Sequence, residues 1–255
     1  MTLIVTPAKQ QYNAANGEYD NTAFLQKPDL VYSDTYLAKI SASEALPAYV
    51  RIGSIFYKLT DDVIANLNLR GASGIDVGTK AVNTPYYFYL VYTDMVRGVF
   101  SLRGPTEGPV GFSEWTYLGC VLTDSSSNIR YFVYCNGVCM LGSGIDDLSQ
   151  VQSTTATAQT LTPWPSTARN HWLRVAHGAS TTGQDGRVSG NSLVTDSSSP
   201  ISVRSQVAAV GTYNIASGWV PALSGNVIYV RTTAGANGST IAKGMGFQEN
   251  LGAYR

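Results

Sequence analysis

Apolar positions along this chain come in short runs, each closed by Gly, Pro, Ser, Asp or Asn. The clearest set lies between Gly74 and Tyr134, where residues 86–92, 99–102, 115–122 and 129–134 are rich in aromatic and β-branched side chains. Short apolar runs with turn chemistry between them predict an antiparallel β-sandwich or barrel. Residues 86–92 carry the strongest signal. Tyr86, Phe88, Leu90 and Tyr92 fall on one face of a strand, and Tyr87, Tyr89 and Val91 on the other. A strand without a polar face needs cover on both sides, expected here from a second sheet and from another subunit or an arm. Tyr86, Tyr87 and Tyr89 are therefore expected to be interface anchors.

The flanking regions are less regular. Residues 1–48 lack a clean period and read as an extended N-terminal arm that docks on a neighbour or on its own β domain. Its Tyr12, Tyr19 and Phe24 are expected to be buried against that partner, because disordered segments are poor in aromatics. Ser41 followed by Glu44 has capping-box spacing and predicts a short helical turn over 41–46. Residues 49–57 read as a strand with Arg51 and Lys58 toward water, and the glycines from 71 to 78 as a loop. In the Ser/Thr/Gln-rich stretch 142–170 the section before Pro163 reads as a linker or long surface loop. Within it Trp164, between Pro163 and Pro165, is either a docking anchor or an exposed binding ring. Five more strands are expected at 171–176, 187–194, 201–210, 217–222 and 225–232, and the tail from Gly244 as an edge strand or surface extension. The predicted fold is all-β: an antiparallel, jelly-roll-like β-sandwich over 49–255, one large domain or two small ones divided near 145–165.

Composition narrows the function classes. Charged residues make up 13% of the chain, about half the ~25% usual in soluble domains, and Ser, Thr, Gly, Asn and Tyr stand in their place. Charge depletion suits large protomer–protomer surfaces, whose cores exclude ions. The 17 basic and 17 acidic residues cancel, so the basic footprint of a nucleic-acid-binding protein is missing. The apolar run before Pro7 is too short for a signal-peptide core or a membrane span.

Candidate chemistry is sparse. His171 and His177, six residues apart on a strand, share a face but sit about 20 Å apart, too far to meet at one metal. No Cys or His grouping has zinc spacing, and no Gly-rich loop ends in Lys-Ser or Lys-Thr. The acid clusters Asp61-Asp62, Asp146-Asp147 and Glu107/Glu114 are the only ones that would suit glycoside hydrolysis, and adjacent acids on a strand point to opposite faces. Asn136-Gly137 between Cys135 and Cys139 predicts a tight hairpin that sends the two thiols to opposite faces, unpaired. All three cysteines, with Cys120, read as small buried hydrophobes in a reducing compartment. No enzyme and no cofactor is expected.

One cadence carries further information. Gly74, Asp76 and Gly78, then Asn83, Thr84, Tyr86, Tyr87, Tyr89 and Leu90, then Tyr117, Leu118, Gly119, Thr123 and Asp124 form a "G-x-D-x-G … N-T-x-Y-Y-x-Y-L … Y-L-G … T-D" pattern. Over roughly a quarter of the chain this resembles tailed-bacteriophage virion proteins, chiefly tail-fibre and tail-associated β-sandwich proteins. The resemblance implies a non-enzymatic structural subunit of the tail or fibre apparatus, made in the host cytoplasm and residing in the virion. It also implies a homo-oligomer, a trimer by analogy with fibres, that meets other virion proteins through the N-terminal arm. A capsid fibre or decoration protein is the alternative, as is a receptor-binding module for a host-surface glycan.

Overall fold

The computed structural model describes residues 28–145, 151–179, 182–192, 201–204, 213–222, 225–233 and 238–249, and the backbone of 11–13 and 18–20. The protein is all-β, and no helix occurs among the described residues. The described residues fall into two compact units, one ending at Gly137 and the other beginning at Val138. The division therefore falls in the turn between the cysteines, not in the stretch 145–165. At that turn Asn136 (φ 49°) and Gly137 (φ 79°) both take the left-handed conformation that a two-residue hairpin turn requires.

In the first unit β8 (Pro85–Tyr92) is the central strand of a three-stranded antiparallel sheet, between β9 (Val96–Ser101) and β10 (Trp115–Leu122). Strands β11 (Phe132–Cys135), β3 (Leu30–Asp34), β4 (Leu37–Ile40) and β7 (Val63–Asn66) lie side by side in that order. Strands β5 (Ala48–Ile52) and β6 (Ile55–Leu59) form a separate hairpin. Residues 86–91 are all buried, none more than 4% exposed.

Both faces of β8 are covered by the same chain, which corrects the expectation of a second subunit. On the Phe88/Leu90 face two glycines let the opposing strands approach. A Cβ on Gly98 would lie 3.2 Å from the Ala65 Cβ on β7, and one on Gly119 2.8 Å from the Tyr134 ring on β11. On the Tyr87/Tyr89 face the cover is the Pro/Gly loop of residues 102–114, whose Pro105, Gly108 and Pro109 are buried. The Tyr89 hydroxyl donates to the Arg103 carbonyl (2.7 Å), and a Cβ on Gly108 would collide with the Trp115 ring at 2.4 Å. Asp76 ties this loop down: its Oδ2 accepts from Val110 N–H (2.6 Å) and from Ser101 Oγ (2.8 Å). A Pro/Gly loop was not distinguishable from an ordinary connection in the sequence, so its role as a lid was missed.

Three other expectations change. Residues 30–40, expected as part of an arm docked on a neighbour or on its own β domain, are built into a sheet of their own chain as β3 and β4, where Leu30, Ala38 and Ile40 alternate inward and are at most 1% exposed. Residues 41–46 form no helical turn; Ser43 N–H donates to the Leu46 carbonyl (3.0 Å) and Leu46 N–H to Ser43 Oγ (3.1 Å), closing a bend. Residues 49–57 form two strands, with Arg51 and Lys58 exposed as expected but Ile55 and Phe56 also about two-fifths exposed. Toward the N-terminus β1 (Gln11–Asn13) pairs with β2 (Glu18–Asp20). The side chains of Tyr12 and Tyr19, and Phe24 altogether, lie outside the described residues.

The second unit stacks two antiparallel sheets. One orders β17 (Asn214–Pro221), β14 (Ala168–Ala179), β19 (Gly238–Glu249) and β12 (Val138–Ile145). The other orders β13 (Thr157–Thr160), β18 (Val227–Thr232), β15 (Asp185–Ser189) and β16 (Ile201–Arg204). Leu173, Val175, Val220, Ala242 and Phe247 of the first sheet and Val188, Val203, Ile228 and Val230 of the second supply the core. Residues 157–160, read as linker, are an edge strand paired with β18. The tail from Gly244 to Glu249 is no edge: it lies in β19, between β14 and β12, with Phe247 fully buried. Its glycines hid the alternation.

The Asp76 tether gives a direct test. Asp76→Ala leaves the Val110 N–H without its acceptor and should lower the unfolding free energy by about 2 kcal/mol. Urea titration followed by tyrosine fluorescence measures it; an unchanged midpoint would contradict the tether.

Candidate functional site

The residues singled out in the sequence are mostly structural. Tyr86, Tyr87 and Tyr89 belong to the core of one chain, not to an interface. The Tyr86 hydroxyl accepts from Ala81 N–H (2.8 Å) and donates to the Thr79 carbonyl (3.2 Å). Trp164 is neither a docking anchor nor an exposed ring. It is 4% exposed, with its ring edge-on to His171 (centroids 5.5 Å) and to Phe247 (5.7 Å). Its polar neighbours in the sequence disguised a core position.

Among the described residues the acids singled out in the sequence are engaged in separate contacts. Asp62 accepts from Lys39 Nζ (2.6 Å) and from Ala42 N–H (3.0 Å), and the lysine contact is the main reason its carboxyl titrates below the usual range. Glu107 lies 3.9 Å from Arg103, and the Glu114 carboxyl packs against the Gly53 turn. Asp146 and Asp147 lie outside the described residues. All three thiols are free; Cys120 and Cys139 are buried, while Cys135 is exposed, against the expectation for it. Among the described residues no group of three or more His, Cys, Asp or Glu is placed to hold a metal.

Both histidines sit on the inner face of β14, fully buried mid-strand and not at its ends. His177 Nδ1 is 3.0 Å from Thr240 Oγ1, and a Cβ on Gly186 of the opposing sheet would lie 2.7 Å from the imidazole. Thr240 is also fully buried, so this pair is closed to a substrate. Among the described residues neither ring nitrogen of His171 has a hydrogen-bond partner. Thr167 Oγ1 donates to Glu249 nearby, and Arg187 donates to Asp185 Oδ2 (2.7 Å), both inside the unit.

The opposite face of the same sheet carries different chemistry, arranged in cross-strand rungs. Asn170 faces Pro221 and Gln248, and its Nδ2 donates to Gln248 Oε1 (2.8 Å). Trp172 faces Trp219 and Gly246, and the two indoles meet edge-to-face with centroids 5.2 Å apart. Met140 Sδ fills the place over Gly246. Arg174 faces Ser217 and Lys243, and Ala176 faces Ile215 and Ile241. Arg174, Ser217 and Ile215 are exposed, and Trp172, Trp219 and Lys243 partly so. The sequence held the signal. With His171, Leu173, Val175 and His177 inward, parity puts Trp172 outward beside Arg174, where a strand normally shows water only polar groups. We read this amide, tryptophan and cation face as the candidate site.

No protein-family model matches the chain, and no curated protein matches it at a significant level.

Burial alone holds His171 to about 4, against its ordinary 6.5, and pushes His177 down as well. The fold thus favours the neutral ring. Its contribution is fully present above pH 6.5 and is lost as pH falls toward 4, when the unfolded chain takes up a proton that the folded chain refuses. The loss should reach about 3 kcal/mol at pH 4. Comparing urea midpoints of the wild type and His171→Leu from pH 7.5 to 4 should show a gap in pH slope; parallel curves would refute it.

Proposed function

We propose that this chain is a non-enzymatic structural subunit of a tailed-phage virion, carried in the tail or fibre apparatus. The observation that carries the reading is what the phage-like cadence does in three dimensions. Its Asn-Thr and Thr-Asp pairs, separated by some forty residues, are joined: Asn83 N–H donates to the Asp124 carbonyl (2.9 Å), Thr84 N–H to Thr123 Oγ1 (2.9 Å) and Thr123 N–H to the Thr84 carbonyl (3.0 Å). Asp124 Oδ1 then closes the polar turn by accepting from Ser126 and Asn128 N–H (2.8 and 2.9 Å). Gly74 is required because a Cβ there would lie 2.4 Å from the Leu69 carbonyl, and Asp76 holds the lid loop. The side chains of Asp76, Thr84, Thr123 and Asp124 are spent on backbone and hydroxyl partners, as suits a scaffold motif.

A second reading, the adsorption module, draws on the outward Trp172–Trp219 pair, which does nothing for the core. The trimer loses its argument from β8, whose faces are covered within one chain.

Mass spectrometry and immunogold labelling of purified source particles test the placement. The chain should co-purify at several copies per particle and label tails; recovery only in the particle-free supernatant sinks the proposal. Self-association has its own test. Because Tyr87 lies in the core of a single chain, Tyr87→Asp should abolish folding outright, since a buried unpaired carboxylate is strongly destabilising. Folded monomers of that variant by circular dichroism and light scattering would restore an intersubunit place for β8.

A further inference from the structure

We propose that the outer face of the β17–β14–β19 sheet binds an uncharged oligosaccharide, with pyranose rings lying on the Trp172–Trp219 rung and hydroxyls reaching the rungs on either side. The proposal deepens the adsorption reading and rests on it only for where such a ligand would come from.

The order of the rungs points to this class. Outward positions along β14 run amide, indole, guanidinium: Asn170, Trp172, Arg174. Across the sheet the indole rung continues into Trp219 on β17 and, past Gly246, into Met140 on β12. The Met140 thioether lies over Gly246, so the strip is apolar from β17 to β12. A polar row flanks it on each side, one strand repeat or ~7 Å away. A pyranose is built to the same plan. Its C–H faces are apolar and stack on an indole, while its hydroxyls project from the ring edge. A ring seated on the strip sends hydroxyls toward both polar rows at once.

The indole geometry favours a chain of sugars over a flat ligand. The two rings are inclined at 61° with centroids 5.2 Å apart, so they make no common plane. A flat heteroaromatic ring would match only one of them. Successive sugar residues, rotated about the glycosidic bond, present differently inclined faces at a separation of about one ring.

The amide row selects an uncharged ligand. One Asn170 Nδ2–H donates to Gln248 Oε1 (2.8 Å), and the two amides still hold N–H groups and a carbonyl oxygen between them. A hydroxyl donates and accepts, so it can meet both; a carboxylate or phosphate only accepts and is repelled by the oxygen. The far row repeats this mixture, with the exposed Ser217 hydroxyl facing Arg174. Lys243, across the row on β19, lies over Gly144 of β12 and is not needed for the contact. None of the residues on these three rungs is a carboxylate. Glycoside hydrolysis uses a pair of them, so the face holds a sugar without cleaving it. Tryptophan and methionine are also enriched at protein interfaces, and pairing with a second copy is one outcome the experiment must separate.

The full chain, fluorescently labelled, is applied to an array of maltohexaose, cellohexaose, mannohexaose and chitohexaose beside acidic trigalacturonate and a hyaluronan tetrasaccharide. At least one neutral oligosaccharide should be retained over both acidic ones. Titrating that sugar should change tryptophan fluorescence, and raising the salt from about 0.05 to about 0.5 M should leave the affinity within about twofold, since no ion pair is formed. Trp219→Ala should weaken binding by about 10-fold or more, and Trp219→Phe should retain part of it. Asn170→Leu, on the other side of the strip, should also weaken binding while circular dichroism stays that of the wild type. Retention of no neutral sugar, tighter retention of an acidic one, or binding indifferent to these variants would each overturn the proposal. So would a dimer, seen by light scattering, that Trp219→Ala dissolves. Because the assay uses the isolated chain, binding without particle association would sink the virion reading alone, and particle association without binding would sink this one alone.

Discussion

The first unit depends on one constraint: a central strand with six consecutive buried residues, three of them tyrosines. Each buried hydroxyl must keep a hydrogen-bond partner, because stranding it costs what its ring gains. Tyr86 and Tyr89 meet this by reaching backbone carbonyls of their own chain, at Thr79 and Arg103. Those carbonyls belong to the segments flanking the sheet, so satisfying the tyrosines fixes the path of residues 79–84 and of the lid loop. Burial also pushes the Tyr89 hydroxyl well above its ordinary titration range, which keeps it a neutral donor. Glycines follow from the same constraint, since Gly98 and Gly119 stand where the opposing strands come closest.

Legibility in the sequence tracked how local the information is. The runs at 86–92, 115–122 and 225–232 became strands nearly residue for residue, because alternation and turn residues are read over a few positions. What covers a strand is not local. The two-sided apolar pattern of β8 was read correctly as a demand for cover, but the supplier, the Pro/Gly loop that follows the next strand, looks like any other connection. Residues 30–40 failed for the related reason that two four- or five-residue strands give too few periods to see. The candidate face failed differently. Trp164 drew attention through its polar setting, whereas Trp172 and Trp219 looked like ordinary strand aromatics until parity assigned them to the outside.

Scarcity of charge sharpens what the few charged groups mean. Asp62 with Lys39, and Asp185 with Arg187 and with Arg204 at 3.7 Å, place opposite signs together where they support turns and strand ends. Asp76 is spent on backbone and hydroxyl donors. Arg174 and Lys243 stand opposite each other on β14 and β19, and the Lys243 side chain lies over Gly144 of β12.

Strand β14 divides its side chains between the core and the outer face of one sheet. Its inward residues, His171, Leu173, Val175 and His177, are sealed between two sheets and governed by packing and desolvation. Its outward residues, Asn170, Trp172, Arg174 and Ala176, share the same backbone hydrogen bonds yet contribute little to that seal. A strand's period of two thus separates the groups that hold the unit together from those free to meet a ligand. Edge strand β17 adds Trp219 and Ser217 to the outer set and Val220 to the core by the same rule. The face is positioned with the precision of a sheet rather than a loop, so its rungs hold their spacing before any ligand arrives, and the ordering cost that loop-borne sites meet on binding is largely absent.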